Sequence, residues 1–437
     1  MESRTVIVGA ILAFAASALL SQISFRGDAR APAIVASQEP RAAASGPSYA
    51  ALLHDLDQRI DGLQRRAEGR SNDWLTRAHL AGALLERASL TNQVRDYDRV
   101  QAVLDDAFAI AVEGSGPVLV AARFNFSIHR LAAAEKYLDI IAARAVPRGD
   151  DVVAARLLRA EIAVQRGQYD GVLAELTTLA VGAPQVAAPE LALYHAKTGD
   201  PKRAEALLTE ALAATGANDP RRRAWILLQL GIIAMDHGEL VVALERLKAA
   251  DGELGGWWLV QEHIAELHHR RGHHDKAIAI LEELVRTADL PQHMDALASL
   301  YRHTGRAQEA VELILRAGDR WAQQIARFPE SAMGHGLQHE LEFGAPERAL
   351  ELALANVAAR PGGDAQVALA RVYLQLGRNA EALAVAEQVL ATPYRTARLH
   401  DVAAKAHAAL GHTAAAEEQT ALCLAINPSY TSDEHSH

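Results

Sequence analysis

The chain has 437 residues, half of them apolar and only 5% aromatic, with a formal net charge of −10. That length exceeds one simple core but suits an array of repeated small units, and an Ala- and Leu-rich apolar set favours helices over sheets. The acidic balance argues against nucleic acid as a partner, and the single cysteine, Cys423, excludes an intramolecular disulfide or a cysteine-based zinc site.

Arg4 precedes an uncharged apolar run from Val6 to Leu20, the length of a signal-peptide core and short for a membrane span. Ala16-Ser17-Ala18 has cleavage-type spacing, whereas Ser21 to Phe25 would extend the run into an anchor. Residues 1–25 are therefore expected to be a signal peptide or an N-terminal membrane anchor. Residues 26–48, rich in Ala, Pro, Ser and Gly, read as a flexible linker. The body of the protein is expected to be periplasmic, exported or anchored to the inner membrane by its N-terminus, with membrane contact through that segment only. High Ala, Arg and His content beside an export signal points to a GC-rich bacterium.

Residues 49–150 read as a capping helix and two degenerate repeat units. The helix from Tyr49 to Arg66 carries Leu52, Leu56, Ile60 and Leu63 on one stripe. In the first unit Trp74, Ala81 and Leu85 lie on one helix, a long turn runs from Thr91 to Tyr97, and Leu104 and Ala107 lie on the second. The other unit has Ala122, His129 at its turn, Ala134 and Leu138.

Residues 151–430 contain eight regular units. Gly167, Gly199, Gly238, Gly272, Gly305, Gly344, Gly377 and Gly411 recur at spacings of 32 to 39 residues. Five positions after them stand Val172, Ala204, Ala243, Ala277, Ala310, Ala349, Ala382 and Ala416. Seven positions before them stand Ala160, Ala192, Gly231, Ala265, Ala298, Leu337, Ala370 and Ala404. Each glycine ends a first helix in a left-handed turn, and the small residues let two antiparallel helices cross closely. Two 39-residue spacings mark insertions: a loop from Thr215 to Arg223, with Asp219 and Pro220 as N-cap and first helical residue, and a second helix lengthened through Trp321 to Phe328. Pro184, Pro361 and Pro428 stop second helices. The basic runs Arg221–Arg223 and Arg270–Arg271 read as solvated helix ends, Trp257 and Trp258 as wedges between units, and Cys423 as a small core residue. Residues 431–437 read as a disordered tail.

These residues resemble the tetratricopeptide repeat (TPR) consensus. The resemblance implies an all-α, right-handed α-solenoid of about ten helix-turn-helix units. It also implies a non-catalytic scaffold that takes a peptide or helix of a protein partner in a concave groove lined by the first helices. No phosphate-binding glycine loop, nucleophile elbow or His-Glu-x-x-His helix suggests catalysis. In the family, positions six before each turn glycine tend to face the groove. Here they are Glu161, Leu193, Ile232, Glu266, Ser299, Gln338, Arg371 and Lys405, without the Asn that a carboxylate clamp of the family uses. The histidine-rich stretch from His263 to His339 draws attention within that groove. Glu262, Glu266 and His269 share one helical face, and with Asp295, Arg302 and His303 they form the expected partner-binding surface. His335 and His339, at i and i+4, have the spacing to share a divalent metal, the one cofactor the residues suggest and the basis of an alternative metal-binding reading.

Overall fold

A computed structural model describes residues 46–144 and 149–430. The expected leader or anchor, linker residues 26–45 and the tail lie outside the described residues. Among the described residues there are 21 helices and no strands beyond two isolated bridges, and no helix is long and apolar enough to cross a membrane. The expected all-α solenoid is what the chain forms.

A capping helix, α1 (Tyr49–Glu68), is followed by ten antiparallel pairs. The first five are α2 (Trp74–Thr91) with α3 (Val94–Ile110), α4 (Val118–Ser127) with α5 (Leu131–Ala142), α6 (Gly149–Gln165) with α7 (Val172–Gly182), α8 (Pro184–Lys197) with α9 (Pro201–Ala214), and α10 (Pro220–Asp236) with α11 (Leu240–Glu253). The second five are α12 (Trp258–Arg270) with α13 (His274–Thr287), α14 (Pro291–His303) with α15 (Ala307–Arg327), α16 (Pro329–Phe343) with α17 (Pro346–Ala359), α18 (Gly363–Gln375) with α19 (Asn379–Leu390), and α20 (Ala397–Ala409) with α21 (Thr413–Ile426).

Local chemistry fixes these boundaries. Ser48, Asp73, Asp200, Asp219 and Thr396 accept backbone N–H bonds at the helix starts they cap. Pro184, Pro201, Pro220, Pro291, Pro329 and Pro346 open helices at the first turn, where a missing N–H costs nothing. Seven of the eight turn glycines have positive φ, and His129 takes the same left-handed conformation at φ 60° where glycine is missing. Gly344 does not (φ −110°), and this is the unit in which Leu337 replaces the small crossing residue. At the other crossings the alanines are buried between paired helices. The long turn expected from Thr91 to Tyr97 is only two residues, because Asn92 adopts φ 52° and ends α2 abruptly.

What the repeat pattern did not foretell is that the array closes on itself. The hairpin turn of each unit in the first half rests against a joint about five units further on. Gln93 Nε2 donates to the Ala288 carbonyl (2.6 Å), Arg327 pairs with Asp98, and Arg130 meets Glu330 (3.4 Å). Arg395 N donates to the Lys197 carbonyl (2.8 Å), and Ser429 Oγ to that of Gly238 (3.4 Å). Gly46, at the end of the expected linker, is docked through its N–H on the Gly252 carbonyl (3.1 Å). Phe328 wedges between the turns, edge-on to Tyr97 and Phe124 and beneath Arg130. The Arg221–Arg223 run is structural rather than solvated: Arg221 bonds Glu86 (2.9 Å), Arg222 is buried, and Arg223 holds Glu253 (2.8 Å). Trp258 does more than wedge between neighbouring units, because its Nε1 donates to the Leu90 carbonyl (2.6 Å) across the closure. Trp258→Phe should therefore cost about 1 kcal/mol in urea unfolding, the value of one buried bond whose acceptor keeps a second donor, the Tyr49 hydroxyl (3.0 Å). Cys423 is buried, as expected of a core residue.

Candidate functional site

Because the second superhelical turn lies on the first, the groove expected to be open is roofed over. Between the two turns remains a cavity of about 320 Å³, within the range of small-ligand sites. One wall comes from the first helices α6, α8, α10 and α12, the other from α16, α18 and α20 with the joints beside them. Glu161, Leu193, Ile232, Gln338 and Arg371, all six positions before a turn glycine, line it.

The walls carry opposite charge. Glu161, Glu190 and Asp236 stand on the first-turn side, and Arg360, Arg371, Arg395 and Arg398 on the second. Lys197 bridges the two by its bond to Asp364 (3.0 Å), which also accepts from the Tyr394 hydroxyl (2.6 Å). Burial, reinforced by the charge of Glu190, holds the Glu161 carboxyl well above its usual pKa, against a weaker opposing pull from Arg123. Both Glu161 oxygens are buried without a hydrogen-bond partner.

A relay that starts at Arg360 on the basic side crosses to the first turn and leaves donors unpartnered. Arg360 NH1 bonds His129 Nε2 (3.0 Å), and Arg360 Nε donates to Asn356 Oδ1 (2.8 Å). A guanidinium can only donate, so His129 carries its proton on Nδ1, facing Gln165 Oε1 at 3.1 Å. The Gln165 oxygen is thereby occupied and its Nε2 is left as a buried donor without a partner. Arg371 NH1 likewise meets Gln338 Oε1 (3.4 Å), leaving Gln338 Nε2 unpartnered. Burial pushes Arg360 down to about 10 and, with Arg398 beside it, Arg371 to about 10.

Of the histidine-rich stretch, His263 reaches this cavity, but none of Glu262, Glu266, His269, Asp295, Arg302, His303, His335 and His339 lines it. Glu266 is buried between Arg270 (2.5 Å) and His263 (3.3 Å), and Glu262 lies 3.5 Å from the buried His293. Arg302 and His303 are exposed rather than groove-facing. Arg302 lies over the Phe343 ring, and His303 packs against His269 and His274, whose Nδ1 atoms are 3.0 Å apart. Asp295 is buried and accepts from Trp321 Nε1 and His339 Nδ1, both at 2.7 Å. His335 is instead stacked on the Trp321 ring, 5.6 Å between centroids and nearly parallel. The structure thus gives His335 and His339 separate partners, and among the described residues no group of three or more His, Cys, Asp or Glu is placed to hold a metal ion. Asp295→Ala would strand His339 and the Trp321 N–H in the core, with an expected loss of about 3 kcal/mol in urea unfolding. The groove offset in the repeat finds Glu161, Leu193, Ile232, Gln338 and Arg371 in the lining; histidine density, which mostly marks packing here, finds His263 alone.

An all-helical repeat solenoid wound around an interior cavity is the class these features define. Residues 293–326 and 366–398 match the tetratricopeptide repeat model. No curated protein matches the chain. Among solved structures, a tetratricopeptide repeat protein from Parabacteroides merdae is 19% identical, covering 56% of this chain and 93% of its own, with a TM-score of 0.35. MamA is 17% identical over 38% of this chain and 96% of its own, with a TM-score of 0.31. A human IFIT1 dimer with m7Gppp-AAAA is 13% identical over 85% and 94%, with a TM-score of 0.42. At these identities the likeness to solved structures is one of helical-repeat fold alone.

Proposed function

We propose that this protein is a non-catalytic scaffold that holds a peptide segment of a protein partner inside its superhelix, at a bacterial cell envelope to which residues 1–25 deliver or tether it. The observation that carries this reading is the set of buried polar atoms around one cavity that have no partner: both Glu161 oxygens and the amide nitrogens of Gln165, Gln229 and Gln338. Buried polar groups are normally paired, so a cluster of exceptions on one surface favours a ligand whose own polar groups complete it. The envelope assignment is supported by Arg4, the uncharged Val6–Leu20 run and the Ala/Pro/Ser/Gly-rich stretch after it.

A photo-crosslinking residue at Ile232, on the cavity wall, tests this in full-length protein in intact cells. It should capture peptides of envelope proteins, whereas the same residue at Val241, 61% exposed, should not. Equal capture at both positions, or capture of cytoplasmic proteins alone, would contradict the reading.

A further inference from the structure

If the interior is the binding site, its chemistry narrows the ligand to a class, and the ligand class rests on that assignment of the site. The two cavity walls are chemically one-sided. On the first-turn wall both oxygens of the buried Glu161 carboxyl have no hydrogen-bond partner, and burial beside Glu190 disfavours its ionisation until a positive charge is brought to it. Such a pair suits a group that brings positive charge and several N–H donors, as an ammonium does. On the opposite wall Arg360 and Arg371 present two guanidinium groups; the contact from Arg371 leaves the Gln338 amide nitrogen there as a donor, and the relay from Arg360 through His129 leaves that of Gln165, across the seam at the end of α6, as another. Arg360 is 231 positions from the His129 it holds, and its hydrogen-bonding partners, Asn356 and His129, are both neutral. No carboxylate lies within ion-pair distance of Arg360 among the described residues. That wall suits a carboxylate.

The two walls belong to different turns of the superhelix, so a molecule that satisfies both must carry its opposite charges at its two ends and span a cavity of about 320 Å³. We propose that the interior binds short free peptides of about three residues (roughly 10 Å when extended), with the N-terminal ammonium at Glu161 and Glu190 and the C-terminal carboxylate among Arg360, Arg371, Gln165 and Gln338. The bound peptide joins the two turns and so stabilises the closed superhelix.

The test uses the full-length protein in detergent and three mixtures of tripeptides: both termini free, N-acetylated, and C-amidated. Thermal unfolding and titration calorimetry are read for each. The free mixture should raise the unfolding temperature, and each blocked mixture should bind at least tenfold more weakly. E161Q should bind the free and acetylated mixtures alike while still rejecting the amidated one, and R360Q should show the reverse. If R360Q fails to fold, Gln165→Leu takes its place, because it removes a cavity donor and leaves the arginine. Equal binding of free and blocked mixtures, abolished by E161Q, would overturn the terminal-recognition proposal and leave the interior as a site for internal segments. Absence of binding by all three mixtures would overturn the proposal together with the interior site.

Discussion

Replacing Gly362 by valine should part the two superhelical turns. Gly362 has φ −72° and ψ 168°, a conformation any residue adopts, so no backbone strain accompanies the change. The obstacle is the other turn: a Cβ there would sit 2.7 Å from the Gln165 carbonyl oxygen and 3.0 Å from that of Val164. Both are backbone atoms in the last turn of α6 and cannot rotate away. Gly167, in the facing hairpin, is equally constrained, because a Cβ on it would lie 3.0 Å from the Pro361 carbonyl oxygen. The expected result is a loss of roughly 1–3 kcal/mol in urea unfolding from overpacking, together with a larger radius in small-angle scattering as the closure opens. Gly182→Ala is the control. It lies at the end of α7 with nothing within 4 Å of the added methyl, and it should leave the radius unchanged.

His335→Phe should flatten the acid limb of the stability profile. Burial of the ring against Trp321, helped by the positive charge of Arg360 and opposed more weakly by Glu262, brings His335 from 6.5 down to about 4. A folded-state pKa below the unfolded one means that protonation favours unfolding. The stabilising contribution is complete above about pH 6.5 and is lost as pH falls towards 4. Over that window the histidine accounts for about 3 kcal/mol, from 1.36 kcal/mol per unit. Phenylalanine keeps the stacking and cannot protonate. Urea unfolding of wild type and variant, compared at pH 7 and pH 4.5, should therefore diverge in the acid. Parallel profiles would show that His335 is not held neutral by its surroundings.

The units were legible in the sequence because each is built from local signals. A glycine with positive φ, an Asp-Pro helix start and alanines at two fixed offsets are all set within about forty residues of chain. His129 shows how far that logic reaches: it sits where a turn glycine was missing and adopts the glycine's conformation. The closure was not legible, because it depends on pairs such as Gln93 with Ala288 and Arg130 with Glu330, 195 and 200 positions apart, with no periodic signature. It also decides the roles of residues far from those pairs. Arg221 looks like a solvated helix end until Glu86 is brought beside it. Gly362 looks like a linker residue until α6 presses on it. For the site, the groove offset named Glu161, Gln338 and Arg371, but the histidines drew attention to α12, α14 and α16. There the rings serve as packing and hydrogen-bonding groups for Trp321, Asp295 and one another. Side chains on opposite walls become a site only when the second turn covers the first.

Closure of the superhelix is most directly measured by joining its two turns covalently. Asp98 and Arg327 are surface residues 229 positions apart that form an ion pair across the closure, and the one native thiol, Cys423, is buried. In full-length protein carrying Asp98→Cys and Arg327→Cys, a short bis-maleimide at low protein concentration should link the two positions within one chain in high yield, and urea should abolish the reaction. Two thiols that each react readily with a monofunctional maleimide in the folded protein yet form no link within the chain would contradict the closed superhelix and, with it, the interior site.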